Sequence, residues 1–352
     1  MGLYFFYINQ RKTFQINNCF IYLLEKQIIM RKILSTVLMC GAFIACTSNQ
    51  NDNNQPRQRD DMGRIRAFFA QTDSAGVTNA EKAGGSLDSL AQIPGVVIDS
   101  ATGKFIGLGI HIYNEDIYPI KKFEIYSRKK GFVGHLDLSD CQDFTFLDVY
   151  RNKITSVDLH NMPSMRIVGL QNNCIDSIDA SELPACQGID IGLNQLRTID
   201  VSHNPELVEL YIHYNNVKDV DLTHNPKLRY FYCYNNRVEQ LDVTANPNLI
   251  HLDCTNNPLR WVKAWAPKTD GQKPLSLTAE DGGYVGLKFN PVYTPDWKET
   301  GEWQQSYHAY PLEGFAFDGW YSAQGKESAD SIWVDEYGTS RELTAKFVKC
   351  QK

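Results

Sequence analysis

The 352-residue chain lacks the motifs that usually mark an enzyme. It contains no G-x-S-x-G, no H-E-x-x-H and no phosphate-binding glycine loop, so no common nucleophile, zinc-protease or nucleotide site is indicated. Its nine cysteines never fall at C-x-x-C spacing, which argues against zinc ribbons and thioredoxin-like chemistry. Its 35 Lys and Arg, against 41 Asp and Glu, form no extended cluster. Residues 1–45 hold five basic and one acidic residue, which leaves 30 basic and 40 acidic beyond them, a net charge of −10. That balance is wrong for phosphate backbones, and nucleic acid is not an expected partner. Long apolar runs are missing too. The stretch Ile33–Ala45 is too short to span a bilayer as a helix, and no second one follows. No cofactor and no metal are expected.

What the chain does have is a period. Six blocks of 21 residues run without insertion over residues 136–261, starting at Leu136, Val157, Ile178, Ile199, Val220 and Leu241. Asn recurs at 152, 173, 194, 215, 236 and 257, Asp at 137, 158, 179, 200, 221 and 242, and Pro at 163, 184, 205, 226 and 247. One block reads Leu207-Val-Glu-Leu210-Tyr-Ile212-His-Tyr-Asn215-Asn-Val217. A short strand alternates its side chains, so Leu210 and Ile212 face the core while Tyr211 and His213 face out. Asn215 ends the strand, where its amide meets backbone groups freed at the turn. The return, Val220-Asp221-Leu222-Thr223-His224-Asn225-Pro226, is kept from helix by Pro226. A fixed period of this length predicts a stack of coils with parallel strands.

This segment, roughly a third of the chain, resembles the short leucine-rich repeats of bacterial internalin-like surface proteins. The fold expected is mainly β: a right-handed leucine-rich repeat solenoid with a short helical cap and a small C-terminal β domain. Ile120-x-x-Phe123-x-Ile125 and Phe105-x-x-Leu108-x-Ile110 fit the strand template more loosely, so about eight parallel strands are expected. Residues 62–135 are read as an N-terminal cap with these degenerate repeats. Within it, residues 62–70 suit a short amphipathic helix, and Gly95–Asp99 with Gly103–Leu108 a hairpin.

The start of the chain reads as targeting sequence. Met30-Arg-Lys, the apolar run and Cys46 describe a secretory signal over residues 30–45, and Phe43-Ile-Ala-Cys46 resembles a bacterial lipobox. That resemblance implies lipidation of Cys46 and an outer-membrane lipoprotein at the cell surface, held by this anchor alone. Residues 1–29 are read as an over-extended gene start. The polar residues 46–61 are a flexible tether.

Past Trp261 the period stops. Residues 262–274 are read as a linker. Over residues 275–350, Asp281-Gly-Gly-Tyr-Val285, the segment Ala309–Trp320 and Leu343-Thr-Ala-Lys-Phe347 resemble a divergent internalin B-repeat. This implies a small β-grasp-like domain serving as spacer or accessory contact.

Three columns invite a functional reading. Stacked Asp carboxylates about 5 Å apart repel by roughly 0.8 kcal/mol per pair in water, so each needs an offset. A backbone N–H of the neighbouring coil is the expected one, and calcium, which takes six or more oxygens, the rival. His203 and His224 should be convex neighbours, read as solvated. Cys233 and Cys254 occupy core positions as packed thiols, with a disulfide as the minor alternative.

The concave face gives the functional expectation. Outward positions on adjacent strands bring Tyr211, His213, Tyr230, Tyr232 and Tyr234 together, with Tyr214 at their edge. Asp190, Asp253 and Tyr150 lie on the same face. Gly169, Gly188 and Gly192 should leave a hollow beside the rings. Tyrosine is common at binding hot spots because it gives rigid amphipathic area at low entropy cost. The chain is therefore expected to be a non-enzymatic, monomeric surface protein that binds a protein ligand in adhesion. The competing reading is a glycan-binding accessory of a nutrient-uptake system.

Overall fold

The computed structural model describes residues 61–93, 95–99, 101–102, 104–109, 131–265, 274–293, 299–335 and 342–350. All of these fall in one compact unit, Gln58–His111 with Ile125–Lys352. The leader, Cys46 and the tether up to residue 60 lie outside them, as do the expected strand Ile120–Ile125 and residues 266–273.

The repeats form a parallel sheet of three-residue strands. Phe146–Asp148, Ile167–Gly169, Gly188–Asp190, Glu209–Tyr211, Tyr230–Tyr232 and His251–Asp253 pair in sequence order. Their central residues Leu147, Val168, Ile189, Leu210, Phe231 and Leu252 form one row, all buried. The second apolar position of each block is buried as well, at Val149, Leu170, Ile191, Ile212, Cys233 and Cys254. Alternation about the strand axis thus drives two residues per coil into the core, as the pattern requires. The structure is a mainly β leucine-rich repeat solenoid.

Phe105–Gly109 pairs directly with Phe146–Asp148, Leu108 opposite Leu147. The described stack therefore has seven parallel strands, counting Phe105–Gly109, where about eight were expected. Gly107 makes the direct pairing possible: a Cβ there would lie 2.2 Å from the Phe146 ring.

Each period asparagine is a rivet between coils. Asn215 Oδ1 accepts the Leu196 N–H at 2.9 Å, while its Nδ2 donates to Ile191 O and Ile212 O, both at 3.0 Å. Asn194, Asn236 and Asn257 repeat this pattern. A second asparagine ladder runs along the convex side. Asn225 Nδ2 donates to Val201 O and Asn204 O, and Asn246 Nδ2 to Leu222 O and Asn225 O, all at 2.9 Å.

The aspartate column is offset differently from expectation. Each Oδ1 accepts the N–H two residues ahead in its own coil, not in the next. Asp200 takes Ser202 and Asp221 takes Thr223, both at 2.9 Å. The physical reason is the turn, which aims the i+2 amide back at the carboxylate. These local bonds hold the Asp200 and Asp221 carboxyls below the usual range. His203 and His224 are exposed, and each ring meets its own preceding hydroxyl, of Ser202 and Thr223. All six cysteines of the described residues are free; burial pushes the Cys186 and Cys254 thiols up to about 12, so they stay protonated.

Both ends of the stack are closed. At the first, the helix Asp61–Ala70 buries Ile65, Phe68 and Phe69, and both phenylalanines meet Phe132 edge-on. Arg64 of that helix bonds Asp137 Oδ1 at 2.7 Å. At the other end, two sheets carry on. His251–Asp253 pairs antiparallel with Gly283–Tyr293, which pairs with Glu299–Pro311 and then Ile332–Val334. On the convex side Gln240–Asp242 pairs with Trp261–Ala264, followed by Leu275–Ala279, Glu342–Lys349, Phe315–Ser322 and Gly325–Ser328. The linker expected at 262–274 therefore begins inside a strand. The residues expected to form a β-grasp-like domain divide between the solenoid's two sheets, and their described part holds no helix. One apolar core runs from Ile65 to Phe347, with Trp320 fully buried in it.

Candidate functional site

Strand register places the predicted residues on one side of the parallel sheet. Asp148, Gly169, Asp190, Tyr211, Tyr232 and Asp253 form one row, and Phe146, Ile167, Gly188, Glu209, Tyr230 and His251 the row before it. None of these outward residues belongs to the solenoid core, the buried Tyr211 and Tyr230 included.

The rings pack against one another. Tyr211 and Tyr232 have centroids 5.1 Å apart, His213 and Tyr234 stack at 4.9 Å, and Tyr214 meets Tyr234 edge-on at 5.4 Å. Tyr230 lies 4.8 Å from His251, whose Nδ1 is 3.2 Å from the Tyr232 hydroxyl. The neighbours cover part of the cluster. Tyr211 is 2 % exposed and His213 and Tyr230 are also buried, whereas Tyr232 and Tyr234 are half-buried and Tyr214 is 41 % exposed. The outward phase of a strand residue sets its direction, but crowding between rows 5 Å apart sets its exposure.

The expected hollow is filled in part. A Cβ on Gly192 would lie 2.3 Å from His213 Cε1, so the glycine admits the imidazole, which reaches on to within 3.1 Å of Gln171 Nε2. Two acids flank the central pair of tyrosines: Asp190 is in register with Tyr211, and Asp253 with Tyr232. Asp190 Oδ1 accepts the Gly192 N–H at 3.2 Å. Asp253 Oδ1 accepts the Thr255 hydroxyl at 2.6 Å, and Oδ2 lies 3.2 Å from Lys288 Nζ. Tyr150 is on the same side but three coils from His213, under the Arg151 guanidinium at 5.2 Å.

Two participants escaped the sequence reading of the site. His251 is buried beside Tyr230 and Tyr232, and burial, aided by Arg229 and Lys288, holds its pKa at about 3. It is therefore neutral at physiological pH and acts as a hydrogen-bonding ring. Its column position was readable, but its role was not. Lys288 comes from the C-terminal residues, where no period points to it. Among the described residues no group of three or more His, Cys, Asp or Glu is placed to hold a metal ion. No described helix is long and apolar enough to cross a membrane.

No family model and no curated protein matches this chain. Solved structures similar to it include a leucine-rich repeat protein of Leptospira interrogans, at 20 % identity and TM-score 0.33, over 36 % of this chain and 34 % of that one. The functional domain of InlJ from Listeria monocytogenes, which includes a cysteine ladder, matches at 15 % and 0.28, over 60 % and 65 %. The leucine-rich repeat domain of APL1B matches at 17 % and 0.26, over 35 % and 51 %. This chain spans from about a third to just under two thirds of their lengths.

Proposed function

We propose that the protein is a non-enzymatic recognition module that binds a protein ligand through the concave face, as in adhesion to a host or neighbouring cell. The observation that carries this is the contiguous ring cluster Tyr211, Tyr232, Tyr234, His213 and Tyr214, built on two adjacent coils outside the core. Rigid rings on a rigid sheet lose little entropy on binding, which suits them as anchors. In this proposal Cys46 carries lipid after cleavage at Ala45, and a tether sets the monomeric solenoid off the outer membrane. More than one acyl chain is needed for stable retention.

The test uses the labelled full chain on intact cells, untreated, trypsin-treated or periodate-treated. A protein ligand predicts that trypsin abolishes binding and periodate leaves it. Binding that survives trypsin and is lost to periodate would replace this reading with the glycan one. Cys46→Ala, compared in membrane fractions, checks the anchor; a variant that stays in the membrane refutes it.

A further inference from the structure

The third residue after each concave strand takes a left-handed backbone conformation in six consecutive coils. Its φ is +60° at Arg151, +59° at Asn172, +55° at Leu193, +53° at Tyr214, +55° at Asn235 and +54° at Asn256. At the first five of these positions the backbone N–H bonds the next coil: Leu193 donates to His213 O at 2.8 Å and Tyr214 to Tyr234 O at 3.0 Å. Asparagine tolerates this region best among residues with a side chain, and it fills three of the six positions. Arginine, leucine and tyrosine are disfavoured in it, so Arg151, Leu193 and Tyr214 are each strained there.

Of these three, Leu193 and Tyr214 stand on adjacent coils, and Arg151 lies two coils before Leu193. Both are exposed, Leu193 by 36 % and Tyr214 by 41 %, so core packing does not account for either. Tyr214 joins the concave cluster, 5.4 Å from Tyr234 and 6.1 Å from His213. Apolar side chains thus replace the comfortable asparagine at the two places where the lip borders the rings. Strain kept at exposed neighbours of a candidate site marks contact residues.

We propose that Leu193 and Tyr214 are the specificity-determining lip of the concave face, and that they select a polypeptide with a projecting aliphatic or aromatic side chain. This rests on the concave reading given above and names its ligand more closely. Leu193 offers a sugar no hydrogen bond. The rings offer it no open platform either. Tyr214 meets Tyr234 at 79° and His213 at 73°, while His213 and Tyr234 lie 18° from parallel and turn their faces on each other. Edges at steep angles make a cleft for a branched or ring side chain, whereas a pyranose needs a flat face with polar partners beside it.

The test pans the full chain against a phage-displayed library of random dodecapeptides. Affinity for a synthetic enriched peptide is then measured for wild type, Leu193→Asn, Tyr214→Asn and the double variant Tyr232→Ala with Tyr234→Ala. The enriched peptides should share an aliphatic or aromatic residue. Each asparagine variant should bind roughly tenfold or more weakly. Each should also melt a few degrees higher than wild type, because relieving strain stabilises the fold. Opposite movement of affinity and melt is the signature, since a structural role would lower both. Asparagine variants that melt lower, or that bind like wild type while the double variant fails to bind, overturn the lip and leave the concave site standing. Unchanged affinity in all variants overturns the concave reading as well. Enriched peptides without an apolar residue also overturn the proposed selectivity.

Discussion

The hydroxyl of Tyr310 accepts the backbone N–H of Asn256 at 3.1 Å. In earlier coils the equivalent N–H is taken by the next coil, Tyr214 by Tyr234 and Asn235 by Thr255. After Asn256 the repeats end, and a side chain from the strand Glu299–Pro311 supplies the missing acceptor. The C-terminal residues therefore finish the stack, and removing them should expose the strands His251–Asp253 and Trp261–Ala264 with the core beneath. A chain ending at Trp265 should aggregate or lose its cooperative melt, read by calorimetry. Tyr310→Phe should cost only about 1 kcal/mol, because water reaches Asn256. A soluble truncated chain with the wild-type melting temperature would show that the C-terminal residues are a dispensable spacer.

Asn215→Ala should be far more costly than its size suggests. It takes from the Leu196 N–H its acceptor inside the stack, and it removes one of two amide donors from each of the Ile191 and Ile212 carbonyls, which keep Asn194 and Asn236. The expected loss is about 3 kcal/mol, from urea denaturation. A loss under about 1 kcal/mol would mean that the ladder is ornamental.

His251 makes stability fall on mild acidification. Its folded pKa of about 3 lies below the unfolded value near 6.5, so the unfolded chain binds the extra proton between them. The contribution is complete above pH ~6.5 and is lost as pH falls towards 3, at about 1.4 kcal/mol per pH unit. His308, also lowered by burial, acts in the same direction. Denaturation of wild type at pH 7, 6 and 5 should lose about 2 kcal/mol through His251 by pH 5. His251→Gln should lose visibly less across that range. Equal slopes in the two proteins would mean that His251 is solvated and titrates normally.

Calcium should leave the melt where it is. Oδ1 of Asp200, Asp221 and Asp242 already closes a turn on its own coil, which leaves one column of oxygens and no cage. Melts in millimolar calcium and in EDTA should coincide; a calcium-dependent rise would restore the bound-cation reading.

The repeat core was legible because one physical rule recurs every 21 residues: two inward apolar positions and a strand-ending asparagine. The convex ladder was legible too, and was missed. Asn204, Asn225 and Asn246 occupy the position held by Cys141, Met162 and Leu183 in the earlier coils, and a polar change in a buried column signals a bond. The direct pairing of Phe105–Gly109 with Phe146–Asp148 was not legible, since it depends on Gly107 meeting a ring some forty residues away. Nor was the fusion of the C-terminal strands, whose antiparallel partners share no period with the repeats. At the concave face the phase gave each tyrosine its direction, but not the burial of Tyr211 and His213, which depends on neighbours in the stacked coils.

The measurement that bears most directly on the recognition claim is cell binding by Tyr232→Ala with Tyr234→Ala, paired with a thermal melt. Both rings are half-buried outside the core, so their removal should lower the melt by only a few degrees. As hot-spot anchors they should each be worth about 2 kcal/mol in affinity, enough to abolish detectable binding together. Lost binding with a melt near wild type is the predicted result. Wild-type binding by the double variant would contradict the account and move recognition away from the concave face.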